Sequence, residues 1–165
     1  MLMPEIILIL DNIRSTYNVG SIMRSAECFG VSKLLFAGYT PYPKANFDKR
    51  LPHEVNKLDK QIQKTALGVN IPFEVFESTQ EAIDYAQKNN FSVAALEQAE
   101  DSTHLPRYQC PPQLALILGN EVSGISKQTQ SQTDVTIEIP ILGKKESLNV
   151  AVSAAIALYS LRFFK

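Results

Sequence analysis

The stretch from Leu114 to Val152, LALILGNEVSGISKQTQSQTDVTIEIPILGKKESLNVAV, constrains the fold more than any other, because it holds two apolar strands, two glycine-bearing turns and the start of a helix. Leu114 to Leu118 is a short continuous apolar run stopped by Gly119, the pattern of a strand buried on both faces. Val135 to Ile139 is β-branched at most positions and is stopped by Pro140. Each strand runs straight into a turn. In open α/β sheets ligands lie outside the carboxyl ends of the strands, so Gly119–Gly124 (GNEVSG) and Ile141–Ser147 (ILGKKES) are expected to face one crevice.

The same alternation extends upstream. Strands are expected at Glu5–Leu10, Lys33–Ala37, Phe73–Phe76 and Ser92–Leu96. Between them, helical periodicity places Val19, Ile22, Met23, Ala26 and Phe29 on one face of a helix that Asn18 would cap and Gly30 would stop. Glu54 to Leu67 is weakly helical, Ser78 with Glu81 forms a capping box, and a short polar helix is expected near Ser126–Ser131. A last helix spans Ser147 to about Phe163. The implied class is α/β, a mainly parallel six-stranded sheet with helices on both faces, and residues 1–165 are of one-domain length. The segment Gly38–Glu54 is long for a connection inside a compact domain, which marks it as functional or disordered.

Charge is uneven although the net value is -1. Lys44 to Lys64 carries six basic residues against three acids, whereas Glu74 to Asp101 carries seven acids against Lys88. A positive and a negative face are expected, or else simply solvated loops and helices. Cys28 and Cys110 have no CxxC spacing and stand apart from His53 and His104, so no metal site is expected. Cys28 reads as a small packed helix residue. The N-terminal apolar run is too short to span a bilayer and has no basic flank, which points to a cytoplasmic protein.

Several chemistries lose their support at the turns. Gly119 and Gly124 have Walker-type spacing between a strand and a helix, but Ile125 stands where a phosphate-binding Lys is needed. No two glycines are two residues apart, so GxGxxG cannot be written, and GxSxG is also absent. What remains is three motifs at strand ends: NIRSTYNVGSIMRSAECFGV (Asn12–Val31), LILGNEVSGIS (Leu116–Ser126) and IPILGKKESLNVAVSAA (Ile139–Ala155).

Together these motifs resemble the SpoU, or TrmH, family of RNA ribose 2′-O-methyltransferases in the knotted SPOUT superfamily, and Lys64–Val69 (KTALGV) looks like a family segment too. The resemblance implies a C-terminal trefoil knot, which topological rules would never suggest. It implies S-adenosylmethionine as methyl donor, held mostly by backbone at Leu96, Gly119, Ile139, Ser147 and Leu148. For Gly119 and Gly124 an ordinary turn role is the alternative.

By the same resemblance the catalytic set is Arg24, Asn18, Glu121, Ser147 and Asn149, with Pro140 and Asn120 completing the motifs. Arg24 is the family's candidate base, but a guanidinium is always charged. It is better suited to gripping a phosphate and a developing alkoxide, with Asn18 orienting it. Glu121 would hold Arg24 or a backbone amide. Ser147 and Asn149 would cap the last helix while facing substrate, and capping alone is the alternative for Ser147.

The sequence departs from the motifs at Val122, where Gly is common, and at Ile141, where Met is common, and both positions bear on pocket shape. The basic RNA-binding extension of many members is missing, so a minimal catalytic domain acting on tRNA or rRNA is expected. A catalytically silent RNA-binding module is the other reading. From Leu148 to Phe164, 13 of 17 residues are apolar, so the last helix must be buried nearly all round. Either the Val19–Phe29 helix covers its outer face or a second subunit does. The homodimer is the expected answer.

Overall fold

The computed structural model describes residues 3–46 and 48–164; Phe47, inside the long Gly38–Glu54 segment, lies outside them. The strands are β1 (Glu5–Asp11), β2 (Lys33–Ala37), β3 (Phe73–Phe76), β4 (Ser92–Leu96), β5 (Thr103–His104), β6 (Gln113–Leu118) and β7 (Val135–Glu138). The helices are α1 (Thr16–Cys28), α2 (Pro52–Ala66), α3 (Thr79–Lys88), α4 (Lys127–Gln130) and α5 (Val150–Phe163). The seven strands form one sheet in the order β3-β2-β1-β6-β4-β7-β5, every pairing parallel.

The sheet therefore has one strand more than the sequence suggests. Thr103 and His104 pair with Ile137 and Glu138 at the sheet edge, and a two-residue strand has no periodicity of its own to betray it. His104 Nε2 and the Glu138 carboxylate lie 2.7 Å apart beside that pairing.

Alternation along the central strands builds two cores. Ile6, Leu8 and Leu10 of β1 join Leu114, Leu116 and Leu118 of β6 beneath α1, α2 and α5. Ile7 and Ile9 join Ala115 and Ile117 beneath α3, with Ile125 closing that side. Both faces are covered, which is why β6 reads as an unbroken apolar run.

Three helix starts differ from expectation. In α1 the cap is Ser15, whose Oγ accepts the N–H of Asn18; Asn18 is one turn inside and its side chain is free for other partners. In α2 Pro52 occupies the first turn, where its missing N–H costs nothing. In α5 the cap is Asn149, whose Oδ1 accepts the N–H groups of Ala151 and Val152; Ser147 lies too far upstream to reach that turn. The capping serine of α3 is as expected, with Ser78 Oγ accepting from Glu81 N.

Cys28 is exposed, not packed. The buried stripe of α1 runs through Val19, Gly20, Ile22, Met23 and Ala26, and two further residues rotate Cys28 off it.

The lone cation of α5 has a structural task. Arg162 donates from Nε to Phe29 O (2.7 Å), from Nη2 to Gly30 O (2.6 Å), and from Nη1 to Pro4 O. It ties the end of α5 to the carbonyls left open at the end of α1. α1 thus covers one face of α5, burying Ala154, Ala157, Leu158 and Leu161. A second stripe stays open: Val152, Ile156, Tyr159 and Phe163 are 40–58 % exposed, at helical spacings of four and three.

Candidate active site

Beyond the carboxyl ends of β4, β6 and β7 lies a cavity of about 700 Å³. Its walls are the turn Gly119–Lys127, the strand ends Leu96 and Leu118, and the segment from Ile139 to Ser153. The two glycine-bearing turns do face one crevice. All five residues expected to hold the cofactor, Leu96, Gly119, Ile139, Ser147 and Leu148, line it, and so do Val122 and Ile141.

The Gly119–Gly124 turn is tightly specified by its own chain. A Cβ on Gly119 would lie 2.6 Å from Ile125 Cγ1 and 2.7 Å from the Gly124 carbonyl carbon, so only glycine lets Ile125 fold back beneath the strand end. Gly124 has φ +63°, and a Cβ there would meet the Glu97 carboxylate. Both glycines have a folding role before any ligand is considered.

Two further residues of the cavity wall are firmly fixed: Glu97, which the motif reading did not name, and Asn120, which it named without a role. Glu97 Oε2 accepts the Ile125 N–H (2.8 Å) and Oε1 accepts the Gln98 N–H (2.9 Å), fixing a carboxylate in the cavity wall. The one signal that could have found it is position, immediately after the end of a strand. Asn120 is buried and uses its whole amide. Oδ1 accepts from Val122 N, Ser123 N and Ser123 Oγ, while Nδ2 donates to Asn12 O and to the Tyr39 hydroxyl. That amide holds the turn in shape and joins it to the loops after β1 and β2.

At the cavity mouth the three motifs meet. Glu121 Oε2 accepts the Arg14 N–H (2.9 Å), and Oε1 accepts the Ser15 N–H (3.0 Å) and the Asn18 amide (2.9 Å). Asn149 Nδ2 donates to Asn18 Oδ1 at 3.1 Å. Partial burial works against the Glu121 charge, but the Arg14 N–H, the Asn18 amide and the Ser15 N–H outweigh it and hold the carboxyl below its ordinary range. Of the two partners expected for Glu121, it has backbone amides.

Arg24 stands apart. It lies on the exposed face of α1, outside the cavity lining, and the side-chain bonds of Asn18 go to Glu121 and Asn149, not to Arg24. Six residues after Asn18, it points about 120° away around the helix. Ser147 lines the cavity with its hydroxyl unused by the cap of α5.

The cavity suits a bent, amphipathic cofactor of drug-like size. Its volume is within the usual range for such sites, Leu96, Ile139, Ile141 and Leu148 supply apolar walls, and three carboxylates, Glu97, Glu121 and Glu146, against one ammonium, Lys127, leave the lining with an excess of negative charge.

Comparison with known proteins bears on the family and the fold. Residues 5–159 match the model of the SpoU rRNA Methylase family. The 23S rRNA (guanosine-2′-O-)-methyltransferase RlmB of Coxiella burnetii is 28% identical over 166 residues, covering 96% of this chain and 58% of that protein. The SpoU methyltransferase AviRb of Streptomyces viridochromogenes, solved in complex with AdoMet, superposes with a TM-score of 0.74 at 25% identity, covering 98% of this chain and 60% of the other. A solved structure concerned with 2-OH methylation on tRNA gives a TM-score of 0.75 at 20% identity, covering 98% of this chain and 91% of the other. The chain thus spans a little over half the length of the curated relative. The fold it matches is that of the SpoU methyltransferases, which carry a trefoil knot, and the knot expected from the motifs accords with it. Among the described residues, no helix is long and apolar enough to cross a membrane.

Proposed function

The chain belongs to the SpoU rRNA Methylase family, and on that premise we propose that it transfers a methyl group from S-adenosylmethionine to a ribose 2′-hydroxyl of tRNA or rRNA in the cytoplasm. The observation that carries this reading is the meeting of the three motifs, through Asn18, Glu121 and Asn149, at the mouth of one cavity lined by all five expected cofactor residues.

The bound cofactor supplies an electrophilic methyl group on a positively charged sulfur. The chain's own residues bind, orient and exclude water. Leu96, Ile139 and Leu148 would enclose the cofactor's flat base, and the close-packed main chain at Gly119 would form the floor. Glu97 and Glu121 oppose the positive charge. The Ser147 hydroxyl and the Asn149 amide present polar atoms to the ribose at the open side. Transfer to a ribose hydroxyl would leave the methyl ether on the RNA and the demethylated, uncharged thioether product, with the hydroxyl proton released to solvent water. Arg24 grips a phosphate of the RNA and stabilises the developing alkoxide, a charge-stabilising role that a guanidinium is suited to and one that moves no proton.

Because Arg24 lies outside the cavity of its own chain, its role depends on a second subunit. The open stripe Val152, Ile156, Tyr159 and Phe163 provides the surface for a homodimer with residues 1–165 as its unit. A symmetric helix pairing there would bring α1 of one subunit toward the cavity of the other.

The test is mass spectrometry of nucleosides from tRNA and rRNA of cells lacking the protein, and of the same RNA after treatment with protein and S-adenosylmethionine. One 2′-O-methylnucleoside should be missing from the first and restored in the second. RNA binding with no methyl transfer would make the protein a silent RNA-binding module instead.

A further inference from the structure

A second cavity, of about 530 Å³, lies on the other side of the Glu121 network and has no part in the reading above. It is lined by Arg14, Ser15 and Thr16 before and at the start of α1, by Tyr39 to Tyr42 after β2, and by Arg50, Leu58 and Gln61. Three bonds join it to the first cavity. The Arg14 N–H donates to Glu121 Oε2, the Ser15 N–H donates to Glu121 Oε1, and the Tyr39 hydroxyl accepts from Asn120 Nδ2 at 2.9 Å.

The two tyrosines of this cavity differ. Tyr42 has its ring covered by Arg50, whose guanidinium carbon lies 3.5 Å from the ring centroid, and Arg50 is itself held by Asp48 and by the carbonyls of Tyr42 and Pro43. Tyr39 is 62 % exposed, yet it is held at both ends: its N–H donates to Asn12 Oδ1, and its hydroxyl is bonded to Asn120. The loop beneath it is also pinned. Thr40 is buried, with Oγ1 accepting the Ile13 N–H and lying 2.8 Å from Leu10 O and 2.9 Å from Ala37 O. Asn12 adopts φ +52°, a left-handed conformation unusual outside glycine. A fixed aromatic ring with an open face beside an exposed guanidinium, Arg14, is what stacking of a nucleobase next to a phosphate requires. The Arg14 guanidinium is in none of the ion pairs among the described residues. Gln61, whose Oε1 accepts from Thr16 Oγ1, keeps its amide donor for a base edge.

We propose that this second cavity binds a nucleotide adjoining the methylated one, with its base stacked on Tyr39 and its phosphate held by Arg14. The inference rests on the RNA methyltransferase reading. Because Arg14, Ser15 and Tyr39 of the second cavity are bonded to Glu121 and Asn120 of the first, a base seated on Tyr39 sets which neighbouring ribose reaches the Glu121–Asn149 edge, so the platform contributes to site selection.

The test is fluorescence anisotropy with a labelled single-stranded RNA of about twelve mixed nucleotides, and with a ribose-phosphate strand of the same length carrying no bases. The intact protein should bind the RNA about 10-fold or more tightly than the baseless strand. Tyr39→Leu should erase that preference, whereas Tyr39→Phe, which keeps the ring and loses the bond to Asn120, should retain it within about twofold. Arg14→Gln should weaken both strands alike and lower the salt slope by about one.

Undiminished preference in Tyr39→Leu overturns the proposal, and so does equal loss in the Leu and Phe variants, which would trace the effect to the Asn120 turn. Calorimetry with S-adenosylmethionine on the same preparations separates this inference from its premise. Cofactor binding without base preference removes the platform alone. Base preference without cofactor binding supports the platform and removes the methyltransferase reading.

Discussion

Asn18 and Asn149, far apart in the chain, are joined side chain to side chain, with the Asn149 amide donating to Asn18 Oδ1 at 3.1 Å while its own Oδ1 caps α5. One residue thus starts a helix and ties the third motif to the first. The two tasks can be separated by substitution. Asn149→Ala loses both and should cost about 1 kcal/mol, or about 2–4 °C in Tm, the ordinary value of a helix cap. Asn149→Asp keeps a capping oxygen and loses the donor, so it should retain most of the stability but show no coupling to Asn18→Ala in a double-mutant cycle. Thermal denaturation of the set checks this; additive losses for the two alanine variants would mean that the bond contributes nothing.

The Asp48–Arg50 pair sets a pH dependence. The hydrogen bond from Arg50 holds the Asp48 carboxyl well below its ordinary value, against the opposing effect of burial. A carboxylate with a depressed folded pKa stabilises above its unfolded value, about 3.9, and loses that contribution as pH falls through the folded value. Asp48→Asn should therefore lower stability by about 1 kcal/mol at pH 7, allowing for solvent screening. The difference from the native chain should persist to about pH 4 and shrink below it. Denaturant titrations from neutral to strongly acid pH measure it, and a gap that widens in acid would contradict the sign.

The two thiols should react differently. Burial pushes the Cys110 thiol up to about 11, whereas Cys28 lies exposed at the end of α1. At pH 8 an aromatic disulfide reagent should modify Cys28 promptly and Cys110 at least about 10-fold more slowly in the folded protein, with both reacting in denaturant. Equal rates in the folded chain would place Cys110 at the surface.

Much of this arrangement can be read before folding, and the reasons are local. Leu114–Leu118 announces a doubly covered strand because every side chain is apolar, and Gly119 marks its end, so the crevice follows from strand direction alone. β5 could not be read, because Thr103 and His104 become a strand only by lying beside Ile137 and Glu138. Ser15 and Asn18 are both good caps one turn apart, and sequence cannot choose between them; the structure uses Ser15 and thereby frees Asn18 for Glu121. Ser147 and Asn149 posed the same choice. Glu97 and Asn120 owe their importance to bonds with backbone amides and carbonyls across the fold, and such partners have no sequence pattern. Arg24 shows the reverse: its motif is plain, while its place outside the cavity became evident only in the structure.

The open stripe on α5 should be an interface. The protein is expected to sediment as a dimer at low micromolar concentration, and Ile156→Glu with Tyr159→Glu, both at exposed positions, should yield a folded monomer without methyl transfer. A wild-type chain that is monomeric and active would end the two-subunit account of Arg24.

RNA affinity should depend steeply on salt. Lys44, Lys49, Lys57, Lys60 and Lys64 are exposed, as are Arg14 and Arg24, and only such groups can neutralise phosphates in a chain of net charge -1. A flat titration of binding against salt would contradict that source of affinity.

The central claim is that the cavity between the Gly119–Gly124 turn and the Ile139–Asn149 segment is a S-adenosylmethionine site, and calorimetry tests it most directly. The purified protein should bind S-adenosylmethionine and its demethylated product, and not NAD or ATP. Arg24→Ala should leave that affinity nearly unchanged while abolishing transfer to RNA. Gly119→Val, which forces a side chain against Ile125 and the Gly124 backbone, should abolish it. Micromolar binding of ATP with no binding of S-adenosylmethionine would contradict the account at its base.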